Sequence, residues 1–426
     1  MPLFVRIIRT NKGIVVIMKR IEGGRKMSIS LLRITCEHLS NFKNGVLSLD
    51  FFAEKRVLSE EVEDGTVYRL FGRIYKLNTV ALAGINATGK TTVLSLLSNL
   101  LTVYIGNGSL DYSMRFKSYF DSSLSVESYF YQEEEKAIYK LISVIKKDDQ
   151  AQSLVFETER LYKKTASFDI NKNNLFDFAE ENLVMDRARE NTRFLKREDS
   201  IFSMIMNAYS QNASNVQDLC SITNHNLISA VMFDLLIPFA QYLDPSIEFI
   251  RLKELPVTQS SRTVFEIKFK QHENVLAVEP RDLELYLSSG TIKGISCFSA
   301  IAIALSRGGY VLIDEIENHL NKTIVIGLIS LFSSRINEKG ATLLFSTHYS
   351  EILDSLGRSD GIYLLDKEGS IELKKFSSAA GSRDRKDKKK SDLVLSGVLA
   401  KAPSYPAYRR MLTQMNAFLW GAKRND

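Results

Sequence analysis

The run Gly84-Ile85-Asn86-Ala87-Thr88-Gly89-Lys90-Thr91 fits the pattern G-x-x-x-x-G-K-[ST]. An apolar stretch, Thr79-Val80-Ala81-Leu82-Ala83, leads into it, and a helix-like stretch from Thr92 to Leu101 leads out. Strand, glycine loop and helix in that order make a phosphate cradle. The glycines let the chain close around phosphate oxygens, while backbone N–H groups and the helix N-terminus supply donors and positive potential. Lys90 can reach the β- and γ-phosphates, and the Thr91 hydroxyl can hold Mg²⁺. Residues 84–92 are the expected nucleotide site, and the fold class they predict is α/β with a phosphate-loop core.

Upstream, Ile29 to Phe52 reads as two β-segments around Ser40-Asn41-Phe42-Lys43-Asn44-Gly45, whose Asn-Gly pair signals a tight turn. Residues 28–120 form, on this reading, the N-terminal half of the head. Residues 121–173 alternate in strand fashion around Lys147-Asp148-Asp149 and predict an antiparallel meander. In residues 174–246, charged and apolar residues recur at helical spacing through Phe176–Arg197, Ile201–Ala208 and Leu227–Leu243, which predicts a helical insertion. Residues 247–372 return to strands and then to alternating helix and strand, as the second half of the head requires. Residues 373–426 hold a basic loop at 383–390 and a closing segment, and residues 1–27 read as a mobile N-terminal extension.

Three further segments carry chemistry. Tyr310-Val311-Leu312-Ile313-Asp314-Glu315 is an apolar strand ending in two acids. In phosphate-loop hydrolases an acid here serves the Mg²⁺ shell. This gives Asp314 to the metal beside Thr91, and Glu315 to the attacking water. Leu287-Ser288-Ser289-Gly290-Thr291 comes earlier, with Gly290 lying 24 residues before Asp314, and opens a small-residue helix from Gly294 to Leu305. Leu343-Leu344-Phe345-Ser346-Thr347-His348 is another apolar strand, ending in histidine 33 residues after Glu315.

In this order the four segments resemble the ABC-type ATPases. The resemblance implies a head with a parallel sheet plus an antiparallel β lobe, and ATP and Mg²⁺ as cofactors. It makes Leu287–Thr291 the signature motif, with Ser288 and Gly290 contacting the γ-phosphate of ATP held by the opposite subunit. His348 becomes the switch histidine, so the implied catalytic set is Glu315, His348 and Lys90. His319 falls in the loop that communicates between subunits. The implied assembly is a homodimer closed around the nucleotide, with higher oligomers open.

The resemblance covers roughly residues 28–110 and 280–350, and it has departures. Ser289 stands for a usual glycine, Thr291 for Gln or Glu, and Ile316 for the customary proline. Gln132 is a candidate for the glutamine loop by position alone.

The interval from Lys90 to Ser288, 198 residues, exceeds that of a transporter cassette and signals an inserted lobe. That arrangement is similar to RecF- and SMC-type repair ATPases and to the overcoming-lysogenisation-defect (OLD) type of bacterial antiviral defence. The insertion has no sustained heptad run and no Cys-x-x-Cys hook, so the chain is most like the defence-type, AAA-like ATPases. The 78 residues after His348 are too few for a full toprim nuclease, which places effector activity in a partner protein. A DNA-binding repair factor is the alternative, resting on the run 383–390 and on Arg187, Arg189, Arg193, Lys196 and Arg197. An ATP-gated scaffold with negligible hydrolysis is the second alternative.

Composition bounds these readings. A chain of 426 residues suggests two or three domains. The net charge of +6 is matched by residues 1–26, which carry seven Lys/Arg against Glu22, so the remainder is neutral overall. The body thus lacks the global basic footprint of a dedicated DNA-binding domain. Cys36, Cys220 and Cys297 are too scattered for a metal knuckle or a disulfide framework, which points to a reducing cytoplasm. No apolar run near the ~20 residues of a bilayer span is evident, so no membrane partner is expected.

Overall fold

The computed structural model describes residues 3–10, 13–20, 29–110, 116–148, 153–189, 195–209, 216–220, 233–257, 260–385, 388–396 and 405–421. At its centre is a six-stranded sheet in the order Val216–Asp218, Tyr310–Ile313, Thr342–Thr347, Thr79–Ala83, Ile362–Glu368, Ser370–Lys375. The first five strands run parallel and the last is antiparallel to its neighbour. A parallel sheet is covered on both faces, so its strands read as near-continuous apolar runs. Tyr310–Ile313 and Thr342–Thr347 are buried along their whole length.

Side-chain alternation sorts the central strands between two cores. Val80, Leu82, Leu312 and Leu344 enter one, while Ala81, Ala83, Val311, Ile313, Leu343 and Phe345 enter the other. The first core surrounds the helix Lys90–Ile105, whose apolar residues run nearly all round, as a helix between two sheets requires. The second sheet is antiparallel, in the order Leu183–Asp186, Ser153–Thr165, Ala137–Asp148, Phe120–Gln132, Ile29–Leu39, Leu47–Asp50. It supplies Leu31, Val126, Phe130 and Tyr139 to the same core. Tyrosines tie the sheets together: the Leu31 N–H donates to the Tyr310 hydroxyl at 2.6 Å and the Asp50 N–H to that of Tyr363 at 2.7 Å.

The other core packs helices Ser289–Arg307 and Lys322–Phe332 on the opposite face. A small third core joins helix Phe233–Leu243 to the strands Ile247–Val257, Ser260–Phe269 and Leu276–Val278. The architecture is the expected α/β head, a parallel sheet with an antiparallel β lobe.

The stretch Phe176–Arg197 departs from its helical expectation. Glu180–Asn182 is a single 3₁₀ turn and Leu183–Asp186 is a strand on the edge of the antiparallel sheet. The cause is Glu159, whose carboxylate is fully buried. It accepts hydrogen bonds from Arg187 Nε at 2.9 Å, Ser200 Oγ at 2.7 Å and the Ile201 N–H at 2.9 Å. These contacts hold the chain against the sheet and start the helix Ile201–Tyr209. Residues 190–194, 210–215 and 221–232 of the expected insertion lie outside the described residues.

Burial pushes the Glu159 carboxyl up, and the Arg187 charge pulls against it. Removing one member of such a buried pair strands the other, at a cost of about 3–5 kcal/mol. Arg187→Ala should lower stability by that order in urea unfolding, and an unchanged midpoint would contradict the assignment.

Within the N-terminal extension, Leu3–Thr10 and Gly13–Arg20 form an antiparallel hairpin. One further expectation is corrected. Ser289–Arg307 is, among the described residues, the one helix long and apolar enough to cross a bilayer. Its apolarity comes from Ile292, Ile295, Phe298 and Ile301, all buried, with the small residues Gly294, Ser296, Cys297, Ser299 and Ala300 buried between them.

Lys76 is a second buried charge. Its Nζ donates to the Gly340 carbonyl and lies 5.7 Å from the ring centres of Tyr68 and Tyr310. Burial pulls its pKa from 10.5 down to about 8, against an upward pull from Glu133. Between about 8 and about 10.5 the unfolded chain holds the proton that the folded chain has released, so stability rises with pH through that window. Wild-type stability should gain on that of Lys76→Met from pH 8 to 10, whereas parallel profiles would contradict the burial of this charge.

Candidate nucleotide site

Three parallel strands end at one edge. Thr79–Ala83 lies in register beside Thr342–Thr347, which lies beside Tyr310–Ile313. Gly84, His348 and Asp314 therefore emerge together at the carboxyl edge, where open α/β sheets bind ligands.

The loop 84–89 turns through positive φ at Ala87 (65°) and Gly89 (97°). Gly84 is required by close approach, since a Cβ there would stand 2.5 Å from the Leu365 carbonyl oxygen and 2.9 Å from Thr88 Oγ1. Ile85, Asn86 and Ala87 form the exposed tip, while Thr88 is buried and donates to the Ile85 carbonyl at 2.9 Å. Lys90 Nζ folds back and donates to the carbonyls of Gly84 at 2.8 Å and Ile85 at 2.9 Å. Burial pulls this ammonium below its ordinary range, and the carboxylates of Glu315, Glu317 and Asp314 oppose that pull. Thr92, half-buried, lies in the first turn of the helix.

The acids are held by their neighbours. Thr91 Oγ1 donates to Asp314 Oδ2 at 2.6 Å, and Ser346 Oγ donates to Asp314 Oδ1. The same Ser346 oxygen accepts the Glu315 N–H at 2.7 Å. Glu315 sits at φ 44°, a conformation that costs a non-glycine residue roughly 1–2 kcal/mol. Its carbonyl accepts from Lys293 Nζ at 3.0 Å and from the Asn318 N–H at 2.8 Å, which holds the backbone there. Lys293 is itself pulled below its ordinary range by burial.

Ser288 caps the helix Ser289–Arg307, its hydroxyl accepting the Thr291 N–H at 3.0 Å. Ser289 Oγ lies 3.1 Å from His319 Nδ1, and a Cβ on Gly290 would stand 2.3 Å from the His319 carbonyl oxygen. Among the described residues, the hydrogen bonds of Ser288 and Ser289 run to their own helix and to His319, not to the phosphate loop. The structure thus brings Lys90, Thr91, Asp314, Glu315 and His348 to one edge. It sets Ser288 and Gly290 against the His319 loop of the same chain.

Gln132 is not at this edge in a free state: its amide is committed to Glu134 and to the Glu135 N–H in its own turn. The arginines proposed for DNA are largely ion-paired. Arg187 points to Glu159, Arg189 to Asp186 and Arg197 to Asp148, while Arg193 lies outside the described residues. In the basic run, Asp384 pairs with Lys55, and Lys390 donates to the Leu356 carbonyl at 2.9 Å.

Sequence reasoning passed over Ser346, Lys293 and Glu317. Each carried a signal: a serine in an apolar strand, a lysine one turn into an apolar helix, and a third acid after Asp314 and Glu315.

The family described as "AAA domain, putative AbiEii toxin, Type IV TA system" matches residues 80–354. The chain belongs to this family. The match runs from the phosphate-loop strand of this AAA domain past His348, so it contains all four segments. No curated protein matches the chain by sequence.

Similar solved structures include an SMC head bound to the C-winged helix domain of ScpA, at 13% identity and TM-score 0.45, covering 81% of this chain and 96% of that one. The SMC head domain from Thermotoga maritima is similar at 12% identity and TM-score 0.38, covering 81% and 98%. The recombination mediator protein RecF–ATPrS is similar at 12% identity and TM-score 0.36, covering 82% and 99%.

Proposed function

We propose that this AAA domain binds Mg-ATP at residues 84–92 and hydrolyses it in a pocket that two copies complete head to tail. The observation that carries the reading is the 2.6 Å contact of the Thr91 hydroxyl with the Asp314 carboxylate, beside a lysine enclosed by its own loop. Both are hard oxygen donors. Mg²⁺ takes one or two such protein oxygens together with phosphate oxygens and water, so the pair fits the ion. When bound, the ion supplies neutralisation of the charge that spreads over the transferring phosphoryl group.

The residues divide the remaining work. Lys90 exchanges two backbone carbonyls for the β- and γ-phosphate oxygens. Glu315 orients the attacking water and accepts its proton, and His348 positions that water at the γ-phosphate. Ser288 and Gly290 act in the partner's site, where the helix N-terminus presents donors to the γ-phosphate. ATP then joins two copies, and its hydrolysis releases them.

The family's association with an AbiEii toxin and a type IV toxin–antitoxin system supports a cytoplasmic defence ATPase that acts on an effector protein. The pairing of Arg187, Arg189 and Arg197 with acids favours this over a DNA-handling role. Phosphate release and light scattering in Mg-ATP test the proposal. The expected result is Mg-dependent turnover and a doubled mass in ATP that EDTA abolishes. A mass and a phosphate signal indifferent to Mg-ATP would contradict it.

A further inference from the structure

We infer that Glu317 is a positioning residue that holds the His348 imidazole as its Nδ1–H tautomer, so that Nε2 faces the pocket as a hydrogen-bond acceptor. The inference rests on the hydrolytic reading of the site and names how its histidine acts. The His348 backbone N–H donates to Glu317 Oε1 at 2.7 Å, and its ring Nδ1 lies 2.7 Å from the same oxygen. A neutral imidazole carries one ring proton, and the nitrogen that faces a carboxylate acceptor keeps it. The proton stays on Nδ1, and the Nε2 lone pair is left free. The ring packs edge-on against Tyr349 with centres 4.5 Å apart, which limits its rotation.

The burial of Glu317 argues for a chemical role. The residue is 5% exposed, and its second oxygen, Oε2, is buried with no hydrogen-bond partner among the described residues. A buried, half-satisfied carboxylate is costly, and such groups cluster where a site needs them. Glu317 also belongs to the turn that fixes Glu315, closed by the Asn318 N–H to the Glu315 carbonyl and the Leu320 N–H to the Glu317 carbonyl. One turn therefore sets both acceptors for the attacking water, the Glu315 carboxylate directly and His348 Nε2 through Glu317. With each O–H held by its own acceptor, the lone pair of the water is free to face phosphorus. A ring with its proton on Nε2 would instead donate, and would leave one O–H of the water unheld.

The test is ring-nitrogen NMR of the full chain labelled at its five histidines, with the His348 signals assigned by His348→Asn. Wild type should show His348 protonated at Nδ1. Glu317→Gln, whose amide can donate as well as accept, should lose that single-tautomer signal. It should also lower phosphate release by at least roughly tenfold, with ATP affinity changed less than about twofold. Glu317→Asp should restore part of both. Unchanged signals from the other histidines would show that the variant folds.

A wild-type His348 protonated at Nε2, or a Glu317→Gln variant with wild-type tautomer and rate, overturns the inference. If the wild-type chain releases no phosphate, the hydrolytic reading falls, and the tautomer alone decides the role of Glu317.

Discussion

Glu315→Gln should cut phosphate release by about 10²–10⁴-fold while ATP stays bound and the two copies stay together. The substitution keeps the size of the side chain and removes its basicity. The backbone at φ 44° is held through its own N–H and carbonyl by the Ser346 hydroxyl, Lys293 and the Asn318 N–H, so the turn survives. In the proposed mechanism, metal and phosphate binding rest on Thr91, Asp314 and Lys90 instead. On that proposal the variant loses the step that opens the dimer and keeps the contacts that close it. Size exclusion in Mg-ATP should show a persistent dimer for Glu315→Gln and a transient one for wild type. A variant that turns over at the wild-type rate would remove Glu315 from the chemistry.

Lys90→Ala should weaken ATP binding by at least about 10²-fold, because two charge-assisted hydrogen bonds of roughly 1.5–3 kcal/mol each are lost. The ammonium already sits inside the loop, 2.8 Å and 2.9 Å from the carbonyls of Gly84 and Ile85. It is thus placed where phosphate oxygens would arrive. The fold should tolerate the change, since Gly84, Gly89 and the Thr88 hydroxyl also shape the loop. Calorimetric titration with ATP and Mg²⁺ measures the effect. Equal affinity in wild type and Lys90→Ala would contradict a phosphate role for this loop.

What was legible in the sequence was what is local. Gly84 to Thr91 is one contiguous turn, and Gly89 answers to the backbone at its own position, φ 97°. The apolar strands 79–83, 310–313 and 342–347 read clearly because a parallel sheet buries both of their faces. Alternation exposed the meander through 120–165 for the same kind of reason, one face against the core and one outward. The stretch 176–197 was misread as helix because its conformation is set by Glu159, far back in the chain, and nothing in its own spacing encodes that anchor.

The supporting residues were hidden in the same way. Ser346 matters through Asp314, Lys293 through the Glu315 carbonyl, and Glu317 through His348. Each contact spans 22 residues or more and exists only once the sheet edge has formed.

The shared pocket is tested most directly by mixing two inactive chains, Lys90→Ala, which lacks a working phosphate loop, and Ser288→Arg, which fills the mouth of the signature turn. If each pocket draws its loop from one copy and its signature from the other, mixed dimers hold one intact pocket. Random pairing should then restore about a quarter of the wild-type phosphate release. No recovery above either variant alone would contradict the account.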